Sequence, residues 1–250
     1  MQSPPIGGLQ SSSFTAYNAV VARYSTLDRL TPVAEEQWGL ITRRQAEHAG
    51  VSRATLQRLA DSSVLERVAH GVYRLAGAPA PDNLALRAAW LQLAPDVPAW
   101  ERTPEHGVVS HRSAAALLGL GHLPADRHEF ILPTRRQTRR PDVRLHRRAL
   151  ASAEWVTLHG LPVTRPSRVA SDLLFDREDP EGVAHVVADA IRARYDYPGN
   201  FVDALAPHAA RFGLRRGDGV ALQRWLLDLV GDPETPRWME ETRAHERRVA

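Results

Sequence analysis

The apolar residues fall into short runs, and each change in their spacing marks an expected element. Over 14–30, Phe14, Tyr17, Val21, Tyr24 and Leu27 recur at helical spacing, which predicts a helix behind a Ser-, Pro- and Gly-rich leader at 1–13. Thr31, with Pro32 in the first turn, then predicts a short helix to about Trp38, where Gly39 breaks it. Thr42 and Gln45 have capping-box spacing, so a helix is expected from Arg43 to Ala49, with Gly50 suited to the left-handed turn that ends it. Ser52 caps a third expected helix, from Arg53 to about Asp61, with Leu56 and Leu59 on its buried face. Val64, Leu65 and Val68, then Val72, Tyr73 and Leu75, form two β-type runs around Ala69, His70 and Gly71, the pattern of a hairpin.

Ala76 to Pro81 reads as a linker. Asp82 is expected to cap a helix ending near Pro95, and Ser110 another with Ala114, Leu117 and Leu118 on one face. Strands are expected at Phe130–Leu132, Val143–Leu145, Trp155–Leu158 and Leu161–Thr164. From Ser167 the pattern turns helical over 167–175, 181–194, 200–212 and 218–230, with Asn200 and Asp218 as caps. The last three helices are expected to cover the apolar face of the sheet, and 232–250 to be a charged tail, either a solvated helix or frayed. The fold class is α+β: an N-terminal winged helix-turn-helix, then a mixed domain with a small sheet and helical C-terminal cover. The expected boundaries are 1–30, 31–77, 82–231 and 232–250.

The winged helix-turn-helix reading carries a chemistry. The second helix braces the third, and a Gly-containing turn sets their angle. The third helix would then present Arg53, Ala54, Gln57 and Arg58 opposite or beside Leu56 and Leu59. Arginine donates two hydrogen bonds to guanine, and glutamine pairs bidentately with adenine. Ser52, Thr55 and the amides at the helix start suit phosphates. Thr42, Arg43 and Arg44 open the bracing helix as candidate backbone grips, with His70 at the hairpin tip and Arg74 on its return strand. Over 42–74, Arg43, Arg44, Arg53, Arg58, Arg67 and Arg74 stand against Glu47, Asp61 and Glu66. That balance is only modestly positive, so a homodimer on DNA or a second contact is expected. Arg135, Arg136, Arg139, Arg140, Arg144, Arg147 and Arg148, with Asp142 as the one acid among them, form a second basic segment suited to DNA phosphates or an acidic protein surface.

Composition narrows the classes. At 250 residues and 43% hydrophobic, the chain can build a packed core. Its net charge is +3, and all 32 basic residues are arginine; the isoelectric point of about 9.8 is compatible with a nucleic-acid partner. Without lysine there is no P-loop or Schiff-base lysine; without cysteine there is no disulfide, thiolate zinc site, iron–sulfur cluster or cysteine nucleophile. The opening MQSPPIGGLQSSS lacks the basic and apolar regions of a secretory signal, and no run is long and apolar enough to span a bilayer, so a cytoplasmic protein without a membrane partner is expected. HExxH and GxSxG motifs are absent. His106, His111, His122, His128, Asp172 and Asp176 offer a metal-dependent hydrolase as one reading, but packing and ion pairs are the stronger one, so no catalytic residue, metal or cofactor is expected.

Three segments carry a resemblance. GLITRRQAEHAGVSRATLQRLADSSVLERVAHGVYRL resembles the N-terminal domain of AbiEi-type antitoxins of type IV toxin–antitoxin systems. VVSHRSAAALLGLGHLPADRHEFILP and GLPVTRPSRVASDLL resemble the adjoining antitoxin region, and the three together span roughly residues 33–175. The resemblance implies a non-enzymatic autorepressor that binds inverted repeats in operator DNA. It implies as well that the rest of the chain counteracts a co-encoded nucleotidyltransferase-like toxin in phage defence. The same resemblance leaves two alternatives: a nuclease-like enzyme of that superfamily, and a repressor with no toxin partner.

Overall fold

The computed structural model describes residues 26–249. The expected leader at 1–13, and all but the end of the helix expected over 14–30, lie outside the described residues. Residues 26–35 are helical (α1), so Thr31 and Pro32 sit inside a helix instead of opening one. The apolar stripe explains the difference: Leu30 and Ala34 are both fully buried, and their spacing carries the helix across Pro32. Pro32 and Asp28, whose carbonyl would have accepted the missing N–H, are both exposed, so water can satisfy that carbonyl.

The chain divides into two units after Arg102. In the first, β1 (Leu40–Thr42) is followed by α2 (Arg43–His48), α3 (Arg53–Asp61), β2 (Leu65–Ala69), β3 (Val72–Leu75) and α4 (Leu84–Leu93). The strands form an antiparallel sheet of order β1-β3-β2. Gly71, at φ +70°, makes the tight turn of the β2–β3 hairpin. The core joins Leu30, Ala34, Ile41, Ala46, Val51, Leu56, Leu59, Leu65 and Tyr73. Mixed α+β architecture with an N-terminal winged helix-turn-helix is therefore the fold class. The stretch read as a linker does not end this unit. Helix α4 packs on β1, β2 and β3, and the division falls beyond it. Its first turn follows Asn83, in a left-handed conformation without a side-chain cap, and the expected cap Asp82 instead accepts from Arg87 Nε through its carbonyl.

The second unit holds β4 (Val108–Val109), α5 (His111–Leu118), β5 (His128–Leu132), β6 (Val143–Arg147), β7 (Trp155–Leu158) and β8 (Leu161–Thr164). Helices α6 (Pro166–Phe175), α7 (Pro180–Arg192), α8 (Asn200–Leu205), α9 (Gly219–Val230) and α10 (Thr235–Val249) follow. The sheet order is β6-β5-β4-β8-β7, with β5–β6 and β4–β8 parallel. Helix α5 packs on β5 and β8, and α6 packs on α5. The helices expected to cover the sheet do something else: α7 and α8 flank α6, and α9 packs on both. Gly219 makes that approach close, because a Cβ there would lie 2.0 Å from the Val202 carbonyl oxygen. Asp218 caps α9 through Ala221 N–H, as expected, whereas Asn200 lies in the first turn of α8 and donates to Asp196. The charged tail takes the helical of its two expected forms, as α10, but it is not wholly solvated, since it buries Trp238, Met239 and Thr242. Among the described residues, no helix is long and apolar enough to cross a membrane.

Candidate nucleic-acid interface and a buried polar cluster

Helix α3 starts where the Ser52 hydroxyl accepts from Thr55 N–H at 3.2 Å. Leu56 and Leu59 face the core, while Ser52, Arg53, Ala54, Gln57 and Arg58 are exposed and Thr55 is half-buried. The outward side chains are lightly held. Gln57 donates to Asp61 at 2.7 Å, one turn on, and Arg58 to the Thr55 hydroxyl at 3.3 Å. Arg53 makes no ion pair among the described residues. Exposed contacts of this kind cost little to exchange for a ligand.

The bracing helix α2 is fixed by the expected capping box between Thr42 and Gln45. That box removes Thr42 from the candidate contacts: its side chain is fully buried and its hydroxyl donates to the Pro95 carbonyl. Arg43 and Arg44 are accessible and make only long pairs, with Glu47 at 3.6 and 3.8 Å and, for Arg44, with Asp96 at 3.9 Å. On the hairpin, His70 is exposed at the tip and Arg67 reaches its Nδ1 at 3.4 Å. Arg67 did not stand out in the sequence as a contact; its place on β2 beside the tip gives it one. Arg74 is corrected in the other direction. It donates to Glu66 at 2.6 Å and to the Ala78 carbonyl, and its side chain is only 14% exposed. The register pairs Glu66 directly with Arg74, so the guanidinium closes the hairpin and is not offered to DNA.

The second basic segment is not one patch either. Arg135, Arg136, Arg139 and Arg147 are exposed. Arg140 is held by Asp142. Arg144 turns to Asp176 at 3.0 Å and Glu129 at 3.6 Å, and Arg148 lies 3.8 Å from Asp172 with its guanidinium over the Phe175 ring. Acids distant in sequence pair with two of the seven, Arg144 and Arg148, and Asp142 within the segment pairs with a third.

Glu129, Asp172 and Asp176 belong to a buried polar cluster whose assembly could not be read from the sequence. His111 opens α5 and His146 lies on β6; their rings stack with centroids 3.5 Å apart. His111 Nδ1 is 2.9 Å from the Ser110 hydroxyl, and its Nε2 is 3.9 Å from Asp176. His146 Nε2 is 3.2 Å from Glu129, and Arg112 N–H donates to the other Glu129 oxygen at 3.0 Å. Burial, reinforced by His146 and the nearby arginines, pushes the His111 imidazole down to about 2, so the ring is neutral. Burial raises the Asp172 carboxyl against the pull of Arg168, which grips it through two hydrogen bonds of 2.9 and 2.7 Å. His106, His122 and His128 lie outside this set. The group could not be read from spacing, because His111, His146 and Asp176 come from separate elements with no local motif.

Residues 28–76 match a family model described as transcriptional regulator, AbiEi antitoxin. The match spans α3 and the hairpin, and it bears out the resemblance for that segment. No curated protein matches the chain.

Proposed function

We propose that this chain is a sequence-specific transcriptional autorepressor that binds inverted repeats in its own promoter as a homodimer. Its second unit would act as the antitoxin to a co-encoded nucleotidyltransferase-like toxin, in the cytoplasm and without catalysis of its own. The observation that carries the DNA-binding part is helix α3, anchored through Leu56 and Leu59, with Arg53, Gln57 and Arg58 on its exposed face, where they can meet base edges. Arg43, Arg44, Ser52, Thr55, Arg67 and His70 are the proposed backbone contacts, which set register without reading sequence. Dimerisation follows from the modest charge of one such unit, because two half-sites multiply a weak contact. The toxin part rests on the resemblance of residues 108–133 and 160–174 to the antitoxin region.

The full chain separates the two roles. A variant with Arg53, Gln57 and Arg58 all changed to Ala should lose repression of a reporter driven by the chain's own promoter, yet still restore growth when the neighbouring toxin is co-expressed. Retained repression would refute the assignment of α3. Loss of rescue together with repression would refute the division of labour.

A further inference from the structure

The buried cluster of the second unit has no part in the proposed DNA contacts, and its donors form a recognisable set. One nitrogen from each of His111 and His146 and one carboxylate oxygen of Asp176 all lie within 4.8 Å of one another. Two ligands on a tetrahedral zinc ion sit roughly 3.3 Å apart, given metal–ligand bonds of about 2.0–2.1 Å. An imidazole donates in its own plane, so closing this triangle requires the two stacked rings, 3.5 Å apart, to turn out of their near-parallel arrangement as the ion binds. We propose that His111, His146 and Asp176 form a binding site for one divalent transition-metal ion of borderline softness, such as zinc.

The donor chemistry sets the class of ion. Two imidazoles and one carboxylate favour zinc, cobalt or nickel over magnesium and calcium, which take oxygen ligands. The outer partners of a metal site are also in place: Ser110 sits 2.9 Å from His111 Nδ1 and leaves Nε2 facing Asp176, and Glu129 sits 3.2 Å from His146 Nε2. The backbone makes a third, independent point. His111 is a left-handed non-glycine residue, at φ 51°, and its side chain is only 2% exposed. Such a conformation costs free energy and persists only where the surroundings hold it, which is a recurrent feature of functional positions.

Arg144 supplies the test. Its guanidinium bridges Asp176, a proposed ligand, and Glu129, the outer partner of His146, so it competes for the one carboxylate that an incoming cation needs. It is also half-exposed, with 49% of its side chain open to solvent, and can swing away. Arg144 is thus a built-in competitor of the metal, and removing it should tighten binding.

The experiment titrates Co2+ into the untagged, full-length chain after treatment with a chelator, following the visible ligand-field absorption of bound cobalt and then its displacement by Zn2+. The site predicts one Co2+ per chain. His111→Gln and His146→Gln should each weaken binding by at least about tenfold, with the folded state checked by circular dichroism. Arg144→Met keeps all three ligands and should bind Co2+ several-fold more tightly. It decides the matter should a histidine variant fail to fold. The proposal is overturned if the wild-type chain takes up no stoichiometric Co2+, if the folded histidine variants bind as well as wild type, or if Arg144→Met leaves the affinity unchanged.

Discussion

Arg53, Gln57 and Arg58 differ from Thr42 and Arg74 in what already holds them. The hydroxyl of Thr42 and the guanidinium of Arg74 are committed to internal partners, whereas the α3 side chains make only exposed contacts that water or DNA can replace. Residue type and helix caps were legible in the sequence, so Ser52 and the outward face of α3 were found. Commitment was not legible, because it depends on register: Glu66 meets Arg74 only once β2 and β3 pair. The same holds for His111, read as a packing residue, whose ring environment is built by β5, β6 and α6. Its burial has a consequence in pH. With the folded value near 2 and the ordinary value at 6.5, both states carry a neutral ring above pH 6.5. Below that, only the unfolded chain takes the proton, so stability falls as pH drops through the window from 6.5 toward 2. In chelator-containing buffer, the melting temperature should fall from pH 7 to pH 5, and His111→Gln should flatten the fall. An equal slope in the variant would place the effect on other groups.

At the scale of elements, strong local signals were read correctly and weak ones were missed. Capping residues and alternating apolar runs marked α2, α3, the hairpin and four strands of the second sheet. Strands β1 and β4 are too short to show a period, and each owes its existence to a neighbour, β1 to β3 and β4 to β5 and β8. The α1 boundary was misplaced because a local proline signal was outweighed by burial of Leu30 and Ala34. The basic segment between β5 and β6 is a case where charge counting alone overstates a patch: Arg140, Arg144 and Arg148 turn to acids, while Arg135, Arg136, Arg139 and Arg147 are exposed. We propose that these contact DNA phosphates. Changing Arg135, Arg136 and Arg139 to Gln should then weaken binding to all sequences alike and flatten the slope of log affinity against log salt by about one unit per lost contact. An unchanged salt slope would remove this loop from the interface.

For the whole molecule, the two units stand on different support. The first combines a capped recognition helix, a hairpin with an exposed tip and a family match over 28–76. The second is a five-stranded sheet with α5 against it and further helices packed on α5 and on one another, carrying the cluster around His111. Net charge alone, at +3, would not single out a DNA-binding protein, since steering depends on where the arginines lie. The central claim is that α3 reads sequence. The direct measurement is the affinity of the full chain, at fixed salt, for a duplex from its own promoter and for a shuffled duplex of the same composition. Arg53→Ala, Gln57→Ala and Arg58→Ala are each compared with wild type. Each substitution should cost about 1–3 kcal/mol on the promoter duplex and clearly less on the shuffled one. Three variants that bind the promoter duplex as tightly as wild type would contradict the account.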